Sequence, residues 1–342
     1  MEQPKLTLAD IEAQIEEWLK GQTGLGSDVL IAEMLRTVAK LGGDETSRGD
    51  LKILNRALKE LRYAFRILAR YRSVRKVSIF GSTRVTEDDP YYVLAKNVGR
   101  RLAEEGMMVI TGAGPGIMQA GHEGAGRERS FGVNIRLPFA QKANRFIQND
   151  PKLMTFRFFF TRKLMFVKEA DAFIFFPGGY GTQDELIEVL TLAQTGKSQL
   201  VPIILMDLPG NSYWGEWESF LRGAMLSRGY ISEEELKLFK VINDFDAAID
   251  EIKNFYRNYH SYRFVRHDLV MRLNHPPSPA LIDRLNREFH DILSNGKVRQ
   301  TEALPDESDE PDTWHLHRLL VHFNRQDFAR LRQMIDVINQ EA

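Results

Sequence analysis

Apolar positions in the first 72 residues recur at steps of three and four, the period of a helix with one buried stripe. Thr7 and Asp10 mark a helix start ahead of Ile11, Ile15, Trp18 and Leu19. A glycine-rich break, Gly21 to Gly26, precedes a second helix from Ser27 to about Leu41. A third helix carries a seam of Leu51, Leu54, Leu58, Leu61, Phe65 and Leu68. We expect that seam to pack on the next domain; a dimer or regulatory surface is the alternative. From residue 73 the pattern changes to short apolar runs alternating with helical segments. The runs are Val77 to Phe80, Met107 to Thr111, Gly132 to Leu137, Thr155 to Phe160, Ala172 to Phe176 and Val201 to Met206, with Val241 closing the series. Asp89-Pro90 opens one intervening helix, with aspartate as N-cap and proline at the first helical position. Another runs from Thr161 to Ala170, and the last lies near Ala247 to Tyr259. Buried strands alternating with helices predict a parallel sheet covered on both faces.

Beyond residue 260 the pattern becomes mixed. Tyr262 to Leu273 reads as a strand, Ser278 to Leu293 as a helix, Arg318 to Phe323 as a strand and Gln326 to Ile338 as a helix. The run Pro305 to Asp312 reads as a solvated acidic loop. The fold expected is α/β: a Rossmann-like doubly wound parallel sheet (73–259), a helical N-terminal extension (1–72) and a small α+β C-terminal appendage (260–342).

Composition narrows the chemistry. The chain has 342 residues, net charge −1 and no cysteine, so thiol nucleophiles, disulfides and cysteine-ligated metals are excluded. Near-neutral charge without an interleaved basic–aromatic stripe argues against nucleic acid, and Phe156 to Phe160 reads instead as a core strand. The opening Met1-Glu2-Gln3-Pro4-Lys5 lacks signal-peptide character, and no apolar run approaches the roughly 20 residues that span a bilayer, so we expect a cytoplasmic protein that does not engage membranes. Seven of the eight histidines lie at or after His260, leaving only His122 earlier, so acid–base work in the central domain falls to carboxylates. His315, His317 and His322 read as ordinary surface histidines rather than metal ligands.

Three turns carry the chemistry. Pro177-Gly178-Gly179-Tyr180-Gly181-Thr182 joins an apolar strand to a helix whose apolar positions are Leu186, Ile187, Val189, Leu190 and Ala193. Glycines let backbone N–H groups crowd inward, and the helix start adds unpaired donors and partial positive charge, which together make a phosphate cradle. Glu185 lies one turn further on. Thr182-x-x-Glu185 also fits a capping box, and on this segment alone that structural reading leads. The turn Gly112 to Gly116 has the pattern G-x-G-x-G, with Asn134 and Arg136 where a dinucleotide fold places an acid, so it reads as close access for a base or ribose. Arg162-Lys163 read either as a solvated helix face or as cations at a strand's carboxyl end, facing the crevice that holds Glu185.

Together, Pro177 to Thr182 with Glu185, Arg162-Lys163, Phe80-Gly81-Ser82, Gly116-Ile117-Met118 and Gly132-Val133-Asn134-Ile135-x-Leu137-Pro138 resemble the LOG ("lonely guy") family, long labelled "possible lysine decarboxylase". The resemblance covers about residues 74–258. It implies a hydrolase that cleaves nucleoside 5′-monophosphates, AMP-like or cytokinin-type, to free base and ribose 5-phosphate without a cofactor or metal. It further implies Arg162 and Glu185 as the catalytic pair. Gly81, Ser82, Gly114, Gly116, Met118, Asn134, Lys163, Gly178, Gly179, Gly181 and Thr182 would bind the substrate and its phosphate. A homodimer or higher homo-oligomer is expected, with the site near the subunit interface. Related folds imply an alternative, a non-catalytic nucleotide or molybdenum-cofactor binder. The old label implies pyridoxal phosphate on a lysine, for which only Lys163 is near.

Overall fold

The computed structural model describes residues 8–20, 27–138 and 142–341. Thr7, the Gly21 to Gly26 break and Met1 to Lys5 lie outside the described residues. The chain divides into two compact units, Met1–Tyr63 and Ala64–Ala342.

The first unit holds α1 (Leu8–Lys20), α2 (Ser27–Lys40) and most of α3 (Arg48–Leu68). Ile15 and Ala32 are buried, while Leu51, Leu54, Leu58 and Phe65 of the predicted seam are exposed. Of the seam residues, Leu68, at the foot of α3, is buried.

The second unit opens with β1 (Lys76–Phe80), α4 (Pro90–Glu104), β2 (Met108–Thr111), α5 (Ile117–Ala125), β3 (Ser130–Ile135) and β4 (Leu153–Phe156). It continues with α6 (Phe159–Glu169), β5 (Ala172–Phe175), α7 (Tyr180–Gln194), β6 (Ile203–Met206), α8 (Tyr213–Phe220), β7 (Lys240–Ile242) and α9 (Phe245–Phe255). The seven strands form one sheet in the order β4-β3-β2-β1-β5-β6-β7, every pair parallel. The order reverses between β1 and β5, and at such a switch point the loops at the carboxyl ends diverge and leave a crevice. The period-two side-chain alternation of a strand explains the double cover. Val77 and Ile79 of β1 face a cluster with Tyr92, Val98 and Leu102 of α4 and Ile249 and Ile252 of α9. Phe80 points the other way, stacked on Phe175 at 5.1 Å and edge-on to Phe166 of α6 at 4.8 Å. Each fully buried side chain of this size contributes about 1.5–3 kcal/mol. As predicted, Asp89 caps α4, its carboxylate accepting from the Tyr91 N–H at 2.8 Å.

The aromatic run from Phe156 is not a core strand. β4 is the sheet edge and buries alternate residues, ending at Phe156; Phe159 and Phe160 are in the first turn of α6 and 52% and 56% exposed.

The remainder builds a second sheet from β8 (Tyr259–Val265), β9 (Asp268–Leu273), β10 (Arg299–Thr301) and β11 (His317–Val321), ordered β10-β11-β9-β8 and antiparallel. Helices α10 (Pro279–Glu288) and α11 (Phe328–Gln340) accompany it. The single strand expected from Tyr262 to Leu273 is a hairpin, turning at Arg266, whose φ of 56° is unusual outside glycine. The last helix of the parallel unit ends at Phe255, short of Tyr259. The Asn339 side-chain carbonyl accepts from the N–H groups of Asn258 and Tyr259 and fixes the chain there as strand. Nor is the acidic run simply solvated. Glu307 is fully buried, accepting from Arg272 at 2.6 and 3.0 Å, from Arg318 at 3.0 Å and from the Leu304 N–H at 3.0 Å. Among the three late histidines, His322 Nδ1 lies 2.5 Å from an Asp268 oxygen.

Candidate functional site

The turns after β1, β2 and β5 meet at the switch point through their main chains. The Ser82 N–H donates to the Pro177 carbonyl at 3.0 Å, and the Ile117 N–H donates to the Ser82 carbonyl at 3.1 Å. Such contact leaves no room for side chains. A Cβ on Gly81 would meet Ile117 at 2.7 Å, one on Gly116 the Ser82 carbonyl at 2.3 Å, and one on Gly178 the Thr182 hydroxyl at 2.2 Å. Gly116 also has φ of 67°, in the region glycine enters without penalty.

Helix α7 starts differently from the capping-box expectation. Gly179 is the N-cap and Thr182 is already inside the helix, its N–H donating to the Gly179 carbonyl at 3.0 Å. Thr182 is buried with its hydroxyl against Gly178. The loop is braced from outside by Tyr213, whose hydroxyl donates to the Gly178 carbonyl at 2.6 Å. Gly179 and Gly181 are exposed, and a Cβ on either meets nothing within 4 Å. Tyr180 between them is 97% exposed.

Released from the box, Glu185 turns inward. It is only 4% exposed, and its Oε2 has no hydrogen-bond partner. Burial pushes its carboxyl up to about 7; Lys163 and Arg162 pull the other way without cancelling it. Arg162 is half-buried on α6. Its Nε donates to the Val133 carbonyl at 2.8 Å, and its Nη2 would lie 2.4 Å from a Cβ on Gly112. The guanidinium also sits over the Phe166 ring, 5.1 Å from its centroid. Burial holds it below its ordinary value, opposed by the charge of Glu185. Carboxylate and guanidinium thus share the crevice through space.

The other expected residues divide. Met118 is half-buried beside Gly112, and the Gly114 carbonyl accepts from the Asn144 amide at 3.1 Å. Asn134 is buried at the end of β3, its side-chain oxygen accepting from the Ile135 N–H at 2.9 Å. Lys163 faces α7, its ammonium 2.6 Å from Glu188 and 2.9 Å from Asp184. Burial lowers its affinity for the proton, but those two partners more than compensate and hold it above its ordinary value. A lysine that forms an aldimine must be neutral and unpaired. Lys163 does not fit pyridoxal phosphate.

Two supports lay beyond the sequence reading. Gly112 gives way to Arg162. His122 is fully buried beneath the glycine turn, its Nε2 3.0 Å from the Phe131 carbonyl and 3.1 Å from the Thr111 hydroxyl, its Nδ1 3.2 Å from the Asn144 amide. Burial pushes it down to about 4, so it is a neutral tie between β2, β3 and α5. Its isolation from the other histidines was the one available signal.

A switch-point crevice walled by glycines, with a buried carboxylate near the cations Arg162 and Lys163, defines an α/β protein with a candidate small-molecule site. Residues 115–252 match the family described as "Possible lysine decarboxylase". A protein of Oryza sativa subsp. japonica named "Probable cytokinin riboside 5'-monophosphate phosphoribohydrolase LOGL5" is 30% identical over 163 residues, 46% of this chain and 63% of that one. The cytokinin riboside 5'-monophosphate phosphoribohydrolase LOG of the same plant is 28% identical over 171 residues, 48% of this chain and 66% of that one. Over this stretch the chain is similar to the LOG family. It spans slightly less than two thirds of the length of these two relatives. Among solved structures, the molybdenum cofactor binding protein of Rippkaea orientalis is 20% identical with a TM-score of 0.37, covering 53% of this chain and 96% of that one. That score is too low to bear on activity. Among the described residues no helix is long and apolar enough to cross a membrane.

Proposed function

We propose that the chain hydrolyses the N-glycosidic bond of nucleoside 5′-monophosphates, AMP-like or cytokinin-type, to free base and ribose 5-phosphate. The observation that carries this reading is the buried Glu185, with Oε2 free, sharing a glycine-walled crevice with Arg162. Gly179 and Gly181 add to it. Neither packing nor positive φ demands glycine there, so the open space over the start of α7 is suited to a phosphate.

As the C1′–N bond breaks, positive charge builds on C1′ and the ring oxygen. Glu185 on that face stabilises it, as carboxylates do in glycosidases. The base leaves with the bonding electron pair and takes a proton from solvent, while water adds to C1′ and gives its proton to Glu185, the role for which a value near neutrality is matched. Arg162 holds the carboxylate's charge in place, and the phosphate anchors the ribose so that remote binding energy orients the reacting bond.

The test is incubation with AMP, GMP, CMP, UMP and IMP separately, following base and ribose 5-phosphate by chromatography. Wild type should release base, with kcat/KM rising to a plateau above about pH 7. Glu185→Gln should bind nucleotide but turn over about 10²–10³-fold more slowly. Binding without base release by wild type would sink the enzymatic reading in favour of a carrier or sensor.

A further inference from the structure

We propose that the amino end of the large sheet carries a second anion site, for a small molecule with two or more phosphoryl groups. A cavity of about 1070 Å³ lies where β1 and β5 begin and where β8 of the smaller sheet passes. Its size matches the upper range of small-molecule sites. Seven arginines and lysines line it against three carboxylates. Those carboxylates are already engaged. Glu169 lies 2.6 Å from Lys168 and 3.7 Å from Lys76; Glu310 lies 2.5 Å from Arg272 and 3.5 Å from Arg263; Asp171 accepts from the Lys76 N–H at 2.8 Å.

That leaves a surplus of positive charge. Among the described residues, Arg72, Arg75 and Lys197 make no ion pair within 4 Å. Arg75 instead lies over the face of Tyr256, 3.7 Å from the ring centroid. His260, also in the wall, is held below its ordinary value by burial and then by Arg75 and Arg272, as a positive surrounding requires. Like charges converging on one hollow repel, and an anion bridging them removes that repulsion. Arginine's forked donors suit phosphoryl oxygens, and three separated cations call for more than one such group.

This site is remote from Glu185. β1 and β5 run from the cavity to the crevice, and at about 3.3 Å per residue their four to five residues put the two roughly 15 Å apart. One small ligand does not occupy both.

Calorimetric titration of the full chain carrying Glu185→Gln, so that AMP is not consumed, with inorganic tripolyphosphate and, separately, ATP tests the proposal, with saturating AMP present to fill the other crevice. We expect micromolar binding that weakens with salt. The exposed pair Arg72→Ala/Lys197→Ala should loosen it at least about tenfold while leaving the unfolding midpoint unchanged. Tighter binding of ATP would identify a nucleotide as the source of the phosphates; equal binding would identify the phosphate chain. Neither ligand binding below about millimolar, an unaltered affinity in the double variant, or displacement by AMP would each overturn the proposal. None of these outcomes depends on whether base is released.

Discussion

Two buried glutamates in this chain face opposite fates. Glu307, in the C-terminal appendage, is fully buried with Arg272, Arg318 and a backbone N–H around it. Burial alone would raise its carboxyl, yet these hydrogen bonds and charges hold it below the ordinary value. Glu185 is equally hidden, has nearby cations but no hydrogen bond at Oε2, and is pushed up to about 7. The difference lies in partners rather than depth. A satisfied buried carboxylate fastens a loop to a sheet; an unsatisfied one keeps an oxygen available to something that is not protein.

Removing the Glu307 carboxylate attacks the structural side of this contrast. Glu307→Ala strands two buried guanidinium groups and should cost about 3–5 kcal/mol, read by urea unfolding, with base release per folded molecule unchanged. A loss below about 1 kcal/mol would mean that the cluster is not holding the appendage.

The functional side is sharpened by pH. Folded Glu185 keeps its proton to about pH 7, whereas the unfolded chain releases it near 4.5. Between those values the unfolded state binds fewer protons, so this group's stabilising effect is complete below 4.5 and is lost as pH rises through 7. Glu185→Gln abolishes that dependence and should exceed wild type in stability at pH 8 by up to about 3 kcal/mol, with little gain at pH 4. Parallel stability–pH curves for the two proteins would show that Glu185 is not strained by burial.

A smaller test compares neighbouring glycines. Gly178→Ala drives a methyl into Thr182 and should cost about 1–3 kcal/mol. Gly179→Ala meets open space and should leave stability within about 0.5 kcal/mol, yet weaken AMP binding in a titration. Undiminished AMP affinity in Gly179→Ala would remove the phosphate from that loop.

Much of this was legible in the sequence because the parallel sheet is written in short apolar runs. The strands from β1 to β7 fall within a few residues of expectation, and the glycine turns after β1, β2 and β5 do converge. The failures share a cause: local pattern says little about which neighbour satisfies a group. Thr182-x-x-Glu185 has capping-box spacing, but Gly179 ends the turn three residues earlier and turns Glu185 inward. The acidic run looks solvated until Arg272 and Arg318, distant in sequence, arrive beneath it. The hairpin turn at Arg266 has no glycine to announce it.

The crevice wall at Gly81, Gly112, Gly116 and Gly178 is drawn in main chain, with no volume to spare for even a methyl group. Such a wall is nearly closed to evolutionary drift, since every replacement enlarges it. The rim at Tyr180 is unconstrained by packing. Substitutions are therefore tolerated by the fold at Tyr180 and its open neighbours Gly179 and Gly181, and resisted along the packed wall.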